Sequence, residues 1–114
     1  LEAGHYADSI YHSYTAFVIG AKALLLSIDV KCNTHRGILD DFQEHYVANG
    51  PFAFEPDFPA FVLRMKREAP AESFAVSYGA DAADFVRRVV VERRRQVEAE
   101  GGKDKLVVGN YYKA

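Results

Sequence analysis

The sequence predicts an all-α protein, an antiparallel bundle of four to five helices. Three observations predict it. The stretch Tyr6 to Ile28, YADSIYHSYTAFVIGAKALLLSI, places apolar residues at Ala7, Ile10, Tyr14, Phe17, Ala21, Leu24 and Ile28, in alternating steps of three and four that share one helical face. Two further segments repeat that period, with Ile38, Leu39, Phe42 and Tyr46 in one and Phe74, Tyr78, Ala82, Phe85, Val89 and Glu92 in the other. The connections between them are short, and no convincing pair of strands interrupts them.

The first helix is expected from about Glu2 to Asp29 and should be central. Within Tyr6 to Ile28, Lys22 is the only formally charged residue after Asp8, and a second line of Ser9, Ser13, Ala16, Gly20, Ala23 and Ser27 contains only small residues. Small residues let another backbone approach closely, so that line should receive a second helix. A third line, Tyr11, Val18 and Leu25, is surplus to the bundle on this reading. It is expected to be exposed, and with Gly20 it forms the candidate interface, so that Val18→Glu should weaken association more than folding.

Asn33 or Thr34 can cap a second helix over about His35 to Val47, which Asn49-Gly50-Pro51 stops. Phe52 to Pro59 reads as an irregular loop anchored by aromatics. Pro59 suits the first turn of a third helix, to about Glu68, with Asp57 or Phe58 ahead of it. Pro70 or Ser73 starts a fourth helix that runs to about Glu100, where Gly101-Gly102 ends it. Gly79 lies inside the fourth helix and marks a kink or a close contact. Residues 1–100 are thus the bundle and residues 101–114 a C-terminal tail, read as a short strand, a docked extension or disorder.

Composition excludes several classes of function. The 114 residues are 49% hydrophobic and 26% charged, globular values for one domain. A net charge of −2 gives no global attraction to nucleic acid or an anionic membrane. The single cysteine excludes an intrachain disulfide and cannot alone hold an iron–sulfur cluster or a structural zinc. The longest apolar run, Ala23 to Leu26, is far too short to span a bilayer. These features are read as a reducing, cytoplasmic setting. The chain begins at Leu1, without Met, and is expected to be a fragment of a longer polypeptide.

Each candidate for chemistry has a plainer reading. His5, Asp8 and His12 share a face of the first helix, as an acid–base or metal group or, more ordinarily, a hydrogen-bonded helix end. Asp41 and His45 lie four apart with His35 nearby, but no HExxH, CxxC or paired ExxH pattern supports a metal. Cys32 follows a helix C-terminus, which does not activate a thiol. Neither GxGxxG nor GxxxxGK[ST] is present. No catalytic residue is assigned. The strongest charge feature is Arg87, Arg88, Arg93, Arg94 and Arg95, in which Arg87 and Arg94, and Arg88 and Arg95, are seven apart. Such a stripe is a candidate phosphate contact for nucleotide or RNA, although Glu92, Glu98 and Glu100 interrupt it and late-helix arginines also complement the helix dipole.

At YHSYTAFVIGAKALLLSIDVKCNTHRGILDDFQEHYV the chain resembles the HEPN superfamily of nucleotide-binding helical domains. The matching features are the aromatic opening of the first helix, GAKALLLS at its end, a short loop, then THRGILDDF and HYV. That resemblance implies a four- or five-helix bundle, commonly dimeric, in a family of toxin ribonucleases and non-catalytic adaptors. Ribonuclease members carry Arg, four to six residues, then His. Here His45 is nine positions after Arg36 and no His follows it, which implies no ribonuclease activity. Over about Gly4 to Val90, including FVLRMKREAPAESFAVSYGADAADFV, the chain is also similar to the HEPN-like module at the C-terminus of some bacterial ferredoxin-type sulfite/nitrite reductases. This implies a non-catalytic accessory domain whose partner is a second copy or the rest of its parent chain. The parent's sirohaem and iron–sulfur cluster would be held outside this segment. The alternative is a stand-alone HEPN-type nucleotide or RNA binder.

Overall fold

A computed structural model describes the backbone of residues 3–113 and the side chains of residues 5–100. The described residues form four α-helices: α1 (Ala3–Ser27), α2 (His35–Phe42), α3 (Phe58–Val62) and α4 (Glu72–Lys113). A π-helical turn, Gln43–Ala48, continues α2, and a 3₁₀ turn, Leu63–Lys66, continues α3. There is no strand among the described residues, and no helix among them is long and apolar enough to cross a membrane.

Local chemistry explains most of the boundaries. α1 ends with Asp29 in the left-handed region, φ 64°. The Asp29 N–H donates to the Leu26 carbonyl at 3.0 Å and the Val30 N–H to the Leu25 carbonyl at 2.9 Å, so two end-of-helix carbonyls are satisfied by the turn itself. Thr34 Oγ1 caps α2 by accepting from the Gly37 N–H at 3.0 Å. Asp57 caps α3 by accepting from the Ala60 N–H at 2.8 Å, and Pro59 occupies its first turn. The helix after α2 ends at Ala48, before Asn49-Gly50-Pro51. A Cβ on Gly50 would stand 2.7 Å from Tyr46 Cα and 2.8 Å from the His45 carbonyl oxygen, so the chain can only turn this tightly with glycine.

Two expected boundaries are corrected. Ser73 is not a cap, because α4 already begins at Glu72 and the Ala75 N–H bonds the Ala71 carbonyl at 2.9 Å. Gly101-Gly102 does not end α4, whose backbone is helical to Lys113. A glycine costs a helix about 1 kcal/mol, and with no proline behind the pair an established helix propagates across it. The side chains of the tail, Tyr111 and Tyr112 included, lie outside the described residues.

The core is aromatic, and Phe85 is its hub. Its ring centroid lies 5.3–5.9 Å from those of Phe17, Phe42, Phe52, Phe54 and Phe58. Phe17, Phe42, Phe58 and Tyr78 are fully buried beside it. The loop between α2 and α3 is therefore anchored by aromatics, as its composition suggests, through buried Phe52 and half-buried Phe54. Polar ties close the ends of the core. Tyr46 donates its hydroxyl to the Leu24 carbonyl at 2.9 Å and accepts from Gln96 Nε2 at 3.0 Å. Tyr78 donates to the Val62 carbonyl at 2.6 Å. Burial raises the Tyr78 phenol above its ordinary range, so it stays a donor.

α1, α2 and α4 do not pair in the antiparallel sense. A Cβ on Gly79 would lie 3.6 Å from Ser13 Oγ, and one on Gly20 would lie 3.0 Å from Phe85 Cε2, so α1 and α4 advance in the same direction. The α2 segment follows them, from His35 beside Tyr14 to Tyr46 beside Leu24. Residues 28–34 provide the return leg, since seven extended residues span about 23 Å. Gly20 does what the small-residue reading requires, since it admits Phe85 and Val89, whereas a Cβ on Gly79 would stand at ordinary van der Waals distance from Ser13 Oγ.

Candidate functional site

The sides of α1 and α4 that face away from the aromatic core lie next to each other and form an open groove of about 550 Å³. His5, Asp8, Ser9, His12, Ser13 and Ala16 supply the α1 wall, and Gly79, Ala82, Ala83 and Val86 supply the α4 wall. The groove exists because small residues occupy both walls. Ser13 turns its hydroxyl back to the Ser9 carbonyl at 3.2 Å, which removes one donor from the wall. Farther along α4, Val90, Arg93, Arg94 and Val97 line a shallow continuation. Ile19, on the outward side of α1, is 63% exposed, and Val86, Val90 and Val97 are 40–48% exposed.

The structure brings His5, Asp8 and His12 to one end of this groove, but no hydrogen bond joins their side chains to one another or to other described residues. Among the described residues the hydrogen-bonded helix end expected for them is not seen. His35 is elsewhere, its Nδ1 3.0 Å from the Tyr14 hydroxyl. Asp41 accepts from Cys32 Sγ at 2.6 Å, and that bond, then burial, pushes the thiol's pKa up. No group of three or more His, Cys, Asp or Glu among the described residues is placed to share a metal ion.

The arginine stripe divides into two. Residues seven apart share a line, but adjacent residues stand about 100° apart around the helix. Arg88 lies over the Phe52 ring at 4.7 Å, and Arg95 grips Glu92 through two bonds of 3.0 and 2.7 Å. On the other line Arg87 pairs with Asp84 at 3.4 Å, and Arg94 lines the groove's continuation. Arg87, Arg88, Arg94 and Arg95 are thus not gathered on one surface.

Glu92 is buried, and its carboxyl is held below the usual carboxylate range by the Arg95 hydrogen bonds, with burial acting the other way. The sequence signal for this was an acid on the core line with an arginine three residues later. Arg64 was missed. Its guanidinium sits 4.0 Å from the Phe61 ring and donates to Asp81 at 2.8 Å, fastening the α3 turn to α4.

The expected interface is corrected at three of its four positions. Tyr11 is 56% exposed, but Val18 is 5% and Leu25 1% exposed, and Gly20 is buried under Phe85 and Val89. Val18 and Leu25 are core because α1 is covered over a wider arc than its main apolar line, with α2 on one side and α4 on the other.

Comparison with family models, with curated proteins and with solved structures gives no match.

Proposed function

We propose that this chain is a helical interaction domain, an accessory module without chemistry of its own, that docks through the side of the α1/α4 pair opposite the aromatic core. The observation that carries this is the run of exposed apolar residues beside the small-residue groove: Ile19 on α1 and Val86, Val90 and Val97 on α4. Single exposed apolar residues are ordinary, but Val86, Val90 and Val97 follow one another along the same side of α4, and such a row is the usual mark of a contact surface. The resemblance to the HEPN-like module of ferredoxin-type reductases supports the accessory role. On that reading sirohaem and the iron–sulfur cluster belong to the parent's other segments. The engagement of Arg87, Arg88 and Arg95 with Asp84, Phe52 and Glu92 weighs against the nucleotide- or RNA-binding alternative.

A photo-crosslinking amino acid placed at Ile19 or Val90 in the natural polypeptide, in its own cells, should give a discrete adduct. The same group at exposed Arg36 on α2 should not. Equal yield at all three positions would overturn the proposal.

A further inference from the structure

We propose that the chain also binds a free α-amino acid with an apolar side chain, in a cleft between α4 and the loop ahead of α3. The cleft measures about 260 Å³ and shares no lining residue with the groove described above. Phe54, Glu55, Phe61, Asp81, Asp84 and Arg88 line it. Small-molecule sites usually run from roughly 300 to 1,000 Å³, so a ligand here has to be small.

The charges in the cleft decide the class of ligand. Asp81 already accepts from Arg64 at 2.8 Å, and Asp84 accepts from Arg87 at 3.4 Å. That leaves Arg88 and Glu55, which share the cleft but form no ion pair with each other or with another described residue. Arg88 has no spare acid on its own helix, because Asp84 is held by Arg87 and Glu92 by Arg95. Its guanidinium lies 4.7 Å from the Phe52 ring centroid and 5.8 Å from that of Phe54. A guanidinium resting on aromatic rings still offers its N–H edge, and a carboxylate matches that edge through two parallel bonds. An α-amino acid carries its carboxylate and its ammonium on one carbon. Its carboxylate accepts from Arg88 while its ammonium donates to Glu55, with Asp84 as a second acceptor. A plain anion would leave Glu55 unpaired beside it, and a plain cation would face Arg88 without compensation, so both fit less well. The half-buried rings of Phe54 and Phe61 supply the apolar wall for the side chain.

Titration of the nitrogen-labelled chain with L-phenylalanine and with L-leucine, followed by amide NMR, tests this. The amides of Phe54, Glu55, Phe61 and Arg88 should shift saturably, and those of Ser13 and Ile19 on the groove should not. On the unaltered chain, phenylalaninamide lacks the carboxylate and N-acetylphenylalanine lacks the ammonium. Each should bind at least about tenfold more weakly than phenylalanine. Arg88→Met, which keeps an apolar stem against the rings, and Glu55→Gln should weaken phenylalanine by a similar factor, and the dispersion of their spectra establishes that both fold. No saturable shift with either amino acid up to about 10 mM would overturn the proposal. So would an analogue that binds as tightly as phenylalanine, or shifts confined to the groove. Failure here leaves the docking reading standing, because crosslinking from Ile19 and Val90 does not involve this cleft.

Discussion

The two sides of the α1/α4 pair are both apolar, yet one is a core and the other a surface. On the core side Phe17, Tyr78 and Phe85 are buried to within 1% of their area, and aromatic rings from α2, α3 and the intervening loop close over them. On the groove side the residues are Ala16, Gly79, Ala83, Val86 and Val90, and none of the described residues covers them. The difference is side-chain size and polar closure. Large rings fill the space between helices at crystal-like density, and tyrosine hydroxyls satisfy the carbonyls at its ends. Small residues leave an open groove.

The largest tests of this contrast are a charge and a cavity placed on the core side. Val18→Glu should cost more than about 4 kcal/mol or abolish folding, because it buries an unpaired carboxylate. Phe85→Ala should cost about 3–5 kcal/mol by removing the ring that five others touch. Urea unfolding followed by dichroism measures both, and a loss below about 1 kcal/mol at either position would erase the distinction.

Tyr46→Phe probes polar closure alone. It removes the bonds to the Leu24 carbonyl and Gln96 and leaves the ring against Phe42 and Phe52. The expected loss is about 1 kcal/mol, the net worth of one hydrogen bond, since Ser27 Oγ still donates to the Leu24 carbonyl at 2.6 Å. An unchanged urea midpoint would mean that ring packing suffices.

Glu92 sharpens the contrast through pH. Its folded pKa lies below its unfolded value, so its pair with Arg95 stabilises the fold fully above the unfolded carboxylate value of about 4.3 and loses that contribution as pH falls through the folded value. Thermal unfolding between neutral pH and about pH 3 should therefore show a shallower acid loss for Arg95→Met than for the parent. A steeper loss in the variant would contradict the pairing.

The smallest effect belongs to the groove side. Val90→Asn should change the stability of the folded chain by about 0.5 kcal/mol or less, measured at concentrations too low for association. A core-sized loss there would show that the valine is packed within its own chain.

Much of this architecture was legible in the sequence because its signals are local. The three–four spacing of Ile10, Tyr14, Phe17, Ala21 and Leu24 gave the central helix and its buried face, and Ala7 and Ile28 depart from it only at the helix ends, where cover runs out. Thr34, Asp57 with Pro59, and Asn49-Gly50-Pro51 marked boundaries through capping and turn chemistry that operates within a few residues. The candidate surface was legible only in part. The small-residue line on α1 pointed to it, but Val18 and Leu25 were assigned outward and are core. What the sequence by itself determined is which residues share a helical face, because that depends on the 100° step between neighbours. Only the tertiary structure decided what covers each face. It set α1, α2 and α4 running in one direction, closed two sides of α1 rather than one, and engaged Arg88 with Phe52 and Arg95 with Glu92 while Arg94 stayed on the groove, since periodicity orients a face but carries no information about the neighbour that meets it.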